Sequence, residues 1–588
     1  MTQNKPKKQH SSLVRLAVMM RPFMKYLYFV FFCVLVSNLG VLIKPFIVKT
    51  IIDDFLTQKL PQVGLYSITG LGIAYLLVVM VSALFTMLQR RTLSRFGQSI
   101  LHKLRGEVMD HILHMPIKTL DKYGSGRLIT RCTNDVETLN EFYADILVTL
   151  FQDILLLVSL VFTMVNMDWQ LALVAFCGIP LIAAITISIR KAIKRNWERM
   201  KAIIGRINGF FAENIAGMRI IQAFNRQKNK LDEFRALNEE YLKVTLFQIK
   251  LQSSLRPVME IVNSLVIALL IWFGYNRIVG NFGGAAVLEL GVLYAFTDYV
   301  KQFFEPINEL AESYSTIQSA MVSADRIFAL IDEKDQEDPY AGDWDKPVVG
   351  KVEFRDVWFA YNDENWILKG VSFTVQPGEK VAFVGSTGAG KTTIINLIGR
   401  YYIPQKGTIL IDDVPLERWQ LKSLRSSISV VLQDVFLFVG SIRDNIDIHG
   451  NHSEEKIRQA LEVSCAAQFV EECGGLEGQV TEAGLNFSTG QRQLLSFARA
   501  IARDPSILVL DEATAHIDTD TEQMIQNSIA QISQNRTSIF IAHRLSTIQN
   551  CDCIFMLEKG NIIEQGDHET LMALDGKYAA LVRSGQKE

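Results

Sequence analysis

The sequence predicts a chain of two unlike halves: an all-α domain of six membrane-crossing helices, then an α/β domain built on a phosphate-binding loop. Three observations carry that prediction. Long apolar stretches fill the first half, and charges alternate with short apolar runs after about residue 330. Lysine and arginine concentrate in two of the segments between those stretches. A glycine-rich motif ending in Lys391-Thr392 follows a short apolar strand in the second half.

Bulk composition sets outer bounds. At 588 residues the chain is too long for one domain. Its 60 Lys and Arg nearly balance 62 Asp and Glu, and no basic patch interleaved with aromatics appears, so nucleic acid is not an expected partner. Seven scattered cysteines read as reduced thiols and not as a disulfide framework. Cys551-Asp-Cys553 reads as alternate positions on a strand in preference to a metal site. The basic segment 1–25 precedes an apolar run too long for a signal-peptide core, which reads as a retained span.

A membrane span needs about 20 mostly apolar residues. Six stretches qualify: 26–49, 65–88, 143–166, 169–189, 257–280 and 286–308. The third and fourth are joined at Asn166-Met-Asp168 and form a tight hairpin. Arg90, Arg91, Arg95, Lys103 and Arg105 follow the second span, and Arg190, Lys191, Lys194, Arg195 and Arg199 follow the fourth. The opposite loops hold only Lys49, Lys59 and Arg277. This asymmetry puts both long loops and both termini in the cytosol. Each long loop reads as helix continuing beyond the bilayer, interrupted once by a short crosswise helix: near Met115–Gly126 and near Gly217. Lys44 before Pro45 and Glu305 before Pro306 are charges at span depth, functional candidates by default. Their closeness to span ends favours snorkelling or structural pairing. The remaining lining reads as charge-poor and rich in Phe, Met and Leu.

The transmembrane domain thus occupies 26–330, a polar linker 331–350, and the second domain 351–588. Within the latter, Lys380–Val384 reads as a buried strand, followed by Gly385-Ser386-Thr387-Gly388-Ala389-Gly390-Lys391-Thr392-Thr393 and a helix. This is GxxxxGK[ST] in its strand–loop–helix setting. Backbone N–H groups of such a loop curl around phosphates, Lys391 supplies a cation, and the Thr392 hydroxyl can ligate Mg²⁺. A second apolar strand, Ser506–Leu510, ends in Asp511-Glu512. Asp511 is placed to hold magnesium through water. Glu512 is placed to orient and deprotonate the attacking water.

With these motifs in hand, the chain resembles an ATP-binding cassette exporter of the half-transporter type, specifically one subunit of the heterodimeric bacterial multidrug exporters. The resemblance implies ATP and Mg²⁺ as ligands and further site residues. Tyr361 matches the aromatic that stacks on adenine, Gln433 the glutamine that reaches Mg²⁺ and water, and His543 the switch histidine at the γ-phosphate. The signature, usually LSGGQ, reads Phe487-Ser488-Thr489-Gly490-Gln491. In this family Ser488, Thr489, Gly490 and Gln491 would serve the ATP of the partner chain, and Thr489 adds bulk where backbone must approach phosphate. The loop after Glu512, usually SALD, reads Ala515-His516-Ile517-Asp518. Own-site elements are intact and partner-facing ones altered, which implies a second, different half-transporter, a homodimer being the alternative. The implied activity is ATP-driven export of small lipophilic or amphipathic compounds across the cell (inner) membrane. A lipid flippase, or an ABC-type regulator or gated channel without transport, remain the rival readings.

Overall fold

The computed structural model describes residues 12–58, 61, 64, 66–279, 288–333, 336–362, 365–511, 519–541 and 545–585. They form two compact units, one of Met1–Met109 with Gly126–Asp332, the other of Asp110–Ser125 with Glu333–Glu588.

The first unit is helical. Among the described residues, five helical runs are long and apolar enough to cross a membrane: Val14–Thr57, Ile68–Leu113, Ser125–Met167, Trp169–Ala216 and Gln227–Ile278. At about 1.5 Å per residue, the 46-residue helix Ile68–Leu113 is roughly 69 Å long, more than twice the ~30 Å hydrocarbon layer. Its extension past the bilayer is therefore built into one continuous helix. The sixth expected span lies in the helix Leu290–Ile331, whose apolar part carries Asp298, Lys301 and Glu305. Those three charges set it apart from the other five.

Local chemistry sets the breaks. Asp168 is extended, and its carboxylate accepts from the N–H groups of Gln170 at 3.1 Å and Leu171 at 2.9 Å, capping the next helix. The same carboxylate pairs with Arg277 at 2.6 Å, so the hairpin is tied to the end of Gln227–Ile278. Lys49, another cation of the sparse loops, pairs with Glu289 at 3.1 Å. Small residues let helices meet closely. A Cβ on Gly178 would sit 2.5 Å from Val266 Cγ2, between Trp169–Ala216 and Gln227–Ile278. Leu160, Leu270, Phe296 and Tyr299 are wholly buried at the centre of this unit.

The second unit is α/β. Its strands are β1 Val352–Phe359, β2 Leu368–Val375, β3 Lys380–Gly385, β4 Lys406–Ile411, β5 Val414–Pro415, β6 Ile428–Val431, β7 Gly440–Ser441, β8 Gln479–Val480, β9 Ile507–Asp511, β10 Thr537–Ile541, β11 Cys553–Glu558 and β12 Asn561–Gly566. The main sheet runs β12-β11-β3-β10-β9-β6, parallel except for the edge strand β12. A smaller antiparallel sheet runs β2-β1-β4-β5. Strands β3, β9 and β10 are almost continuously buried, as a sheet covered on both faces requires. Cys553 opens β11 and the buried Cys551 precedes it, so the expected alternation of the two along one strand does not occur.

Asp110–Ser125 joins this unit through the short helix Ile117–Tyr123, set off by Pro116 and by Gly124 at φ +74°. Asp121 accepts from the Tyr402 hydroxyl at 2.5 Å, and the His114 carbonyl accepts from Glu337 N–H at 2.8 Å. Met218–Ala223 is the second short helix, following Gly217.

Candidate active site

In a parallel sheet, ligands gather at the carboxyl ends of the strands. Register brings three such ends together: Ile541 of β10 pairs with Phe383 of β3 and with Asp511 of β9. The end of β3 and Asp511 are two strand steps apart, about 9.6 Å at ~4.8 Å per step. Gln433 follows β6 at the same end of the sheet and is exposed. Glu512 and His543, each just past a strand end in sequence, lie outside the described residues, as does Ala515–Asp518.

The loop after β3 is shaped by glycine at places where nothing else fits. Gly385 has φ +152°, and a Cβ there would stand 2.2 Å from the Leu557 carbonyl oxygen. Gly390, at φ +107°, caps the helix Lys391–Ile398 and would press a Cβ to 2.7 Å from Leu368. Gly388, at φ +82°, faces open space. Ser386, Thr387 and Thr392 are exposed on this rim, whereas Ala389 and Thr393 are buried beneath it. Lys391 folds inward, 7% exposed, and its Nζ donates to the carbonyls of Gly385 at 2.6 Å and Ser386 at 3.2 Å. Burial pushes its pKa down, and the Asp511 carboxylate pulls it part of the way back. The combination is a concave backbone surface with a cation held at its edge, a shape suited to phosphate oxygens. Thr392, Gln433 and Asp511 offer hydroxyl, amide and carboxylate oxygens, the donor chemistry that suits a hard cation such as Mg²⁺.

Tyr361 is brought to this loop from the end of the strand β1. Its hydroxyl lies 3.3 Å from Thr393 Oγ1 and accepts from Asn396 Nδ2 at 3.0 Å. Its ring stands perpendicular to Tyr402, centroids 5.0 Å apart, and keeps an exposed face. Sequence reasoning missed the supports of this aromatic. Gln405 brackets Ala360 with two hydrogen bonds, 3.0 and 2.6 Å, and Tyr402 buttresses the ring. Both lie some 40 positions away, and no short spacing signals them.

The signature stands apart. Ser488 caps the helix Thr489–Ala502 in a reciprocal box with Gln491: Gln491 N–H donates to Ser488 Oγ at 3.2 Å, and Ser488 N–H to Gln491 Oε1 at 2.9 Å. The helix begins at Thr489, within the signature itself. Thr489 is exposed in its first turn and Gly490 is buried behind it. Among the described residues no hydrogen bond joins the signature to the loop 385–393 of the same chain.

Comparison with known proteins agrees with this geometry. The family model "ABC transporter transmembrane region" matches residues 27–307, and "ABC transporter" matches 368–515. The chain is 39% identical over 517 residues to "Probable multidrug resistance ABC transporter ATP-binding/permease protein YheH" of Bacillus subtilis, covering 86% of this chain and 75% of that one. It is 33% identical over 533 residues to an ATP-dependent lipid A-core flippase of Desulfotalea psychrophila, covering 90% of each. A bacterial Atm1-family ABC exporter solved with ATP bound superposes with TM-score 0.75 at 26% identity, over 96% of this chain and 98% of that one. The chain belongs to the ABC transporter family, as a half-transporter that joins a multi-pass membrane region to an ATP-hydrolysing cassette.

Proposed function

We propose that the protein is one half of an ATP-driven exporter of lipophilic or amphipathic compounds, working in the cell membrane with its cassette in the cytosol. The observation that carries this reading is the union, in one polypeptide, of bilayer-length apolar helices with a phosphate loop whose lysine is already folded onto it. Lys391 and the loop 385–393 hold the phosphates, and Tyr361 stacks on the adenine. Thr392, Gln433 and Asp511 would hold a magnesium ion, which would supply positive charge against that of the phosphates. Glu512 orients and deprotonates the attacking water, and His543 contacts the γ-phosphate, positioning and charge supplying most of the catalysis. Ser488–Gln491 serve the nucleotide of the neighbouring subunit.

That neighbour is a different chain. Thr489 occupies the first turn of the signature helix with its side chain exposed, bulk that glycine would not bring to a helix start meant for a phosphate. Two copies of this chain would place that obstacle at both sites; a partner with an unaltered signature would complete one of them. Motion reaches the membrane helices through short crosswise helices, and the Asp121–Tyr402–Tyr361 contacts support such a path.

Inverted vesicles bearing the assembled transporter are the test. ATP-dependent uptake of lipophilic dyes is expected, and Glu512→Gln is expected to lower it by at least about 10²-fold, the worth of a general base. ATP hydrolysis without uptake of any compound would favour a regulator or gated channel. The lipid flippase remains the second reading, since relatives such as the Desulfotalea psychrophila protein carry that name; fluorescent lipids in the same screen separate the two.

A further inference from the structure

Three helices at membrane depth meet around a cavity of about 330 Å³, inside the ~300–1,000 Å³ range of small-molecule pockets. Met24–Thr50 lends Lys44, Leu147–Met167 lends Gln152 and Asp153, and Leu290–Ile331 lends Gln302, Glu305 and Glu309. Three carboxylates and one ammonium therefore share a small volume, against the expectation of a charge-poor lining.

Two acceptors on the wall are left without a donor. Asp153 is 4% exposed, and its Oδ2 is buried with no hydrogen-bond partner among the described residues. Gln302 shows the same deficit: its Nε2 donates to Asp298 Oδ2 at 2.8 Å, and its Oε1 is buried without a donor. Turning that amide over would set its oxygen against the Asp298 carboxylate and relieve nothing. Among the described residues no ion pair joins Lys44 to Asp153 or Glu305. Buried acceptors without donors cost free energy, and ionisable groups at membrane depth are rare outside functional sites.

We infer that this cavity binds the protonated amine of an amphipathic organic cation, the ammonium donating to Asp153 Oδ2 and Gln302 Oε1 within the negative field of Glu305 and Glu309. That the bound cation is cargo rests on the export reading; that it binds here does not. Val41, Leu156 and Pro306 supply apolar wall beside the acids. Glu305 and Glu309 also line an adjoining cavity of about 910 Å³, where Met259 and Phe304 offer apolar wall alongside Arg190, Arg256 and Lys301. Lys44 sets the sign of the competition, because its ammonium repels the incoming one.

The full-length chain in nanodiscs is titrated with monodansylcadaverine, a fluorescent lipophilic primary amine, and with its N-acetylated form, which keeps the fluorophore and loses the charge. The amine is expected to bind at least about tenfold more tightly, the scale of one desolvated charge contact. Asp153→Asn is expected to erase that preference by weakening the amine alone. Lys44→Met is expected to tighten the amine severalfold; an unchanged amine-to-acetyl ratio with a lowered Tm would instead make Lys44 and Asp153 a structural pair and overturn the proposal. Equal binding of the two probes by the unaltered chain also overturns it, as does a parallel loss of both in Asp153→Asn. Where Asp153→Asn does not fold, Glu305→Gln provides the same ratio. ATP-dependent uptake of the same probes forms a separate arm. Selective binding without uptake leaves the site standing and removes the export reading; uptake without selectivity does the reverse.

Discussion

The Lys391 ammonium is buried against the Gly385 and Ser386 carbonyls, and that burial lowers its pKa while Asp511 opposes the shift. A lysine so placed gives up its proton at lower pH than a free one. Phosphate binding favours the charged form, so nucleotide affinity should decline as pH rises through the lowered pKa, and binding should take up protons over that window. Calorimetry in buffers of different ionisation heat reads the uptake directly. Proton uptake that persists in Lys391→Ala would assign it to another group. Thr489 permits a second test of a single side chain. Its Oγ1 accepts from Arg492 at 3.4 Å and its methyl group adds bulk in the first helical turn. Thr489→Gly should raise ATP turnover by the chain purified alone, with a small loss of helix stability of about 1 kcal/mol or less. Unchanged turnover would mean the threonine is no obstacle. The phosphate loop was legible in the sequence because its chemistry is local: glycine, lysine and threonine at fixed spacing between a strand and a helix. Tyr402 and Gln405 were not, since they support Tyr361 only after the chain has folded back on itself.

Among the elements, the crosswise helix Ile117–Tyr123 was foreseen from Pro116 and Gly124, which stop the helices on either side. Its partner was not. The Tyr402 hydroxyl donates to Asp121, while the Tyr402 ring packs on Tyr361, so one tyrosine touches both the crosswise helix and the aromatic proposed to stack on adenine. Burial, reinforced by the Asp121 carboxylate, raises the Tyr402 pKa, which keeps the phenol a neutral donor at physiological pH. Tyr402→Phe keeps the ring packing and removes the link. If the contact transmits closure, uptake per ATP hydrolysed should fall severalfold, in line with a coupling worth about 1–2 kcal/mol, while nucleotide binding changes little. Uptake and hydrolysis falling in proportion would reduce the contact to a structural role. The acid cavity was illegible for a different reason. Lys44, Asp153 and Glu305 lie on three helices far apart in sequence, and hydropathy along one helix cannot report which faces converge. Lys44 and Glu305, read singly, looked like span-end residues, and Asp153 was not singled out.

At the scale of the whole molecule, hydropathy separated the two halves, but contact placed Asp110–Ser125 with the cassette more than 200 residues downstream. In the proposed mechanism that exchange would tie nucleotide state to the membrane helices without any added subunit. It also makes the asymmetry of the proposed heterodimer testable. The site built on Lys391, Asp511 and Glu512 would face the partner's unaltered signature, whereas the partner's nucleotide would face Thr489. Glu512→Gln should then remove nearly all turnover of the assembled pair, by at least about 10²-fold. The matching carboxylate-to-amide change in the partner should leave most of it. Equal losses from the two changes would point to two equivalent sites, and so would full turnover by this chain in the absence of the partner. In the proposed pair each site would need groups from both subunits, so the comparison would read the Thr489 surface through the partner's chemistry.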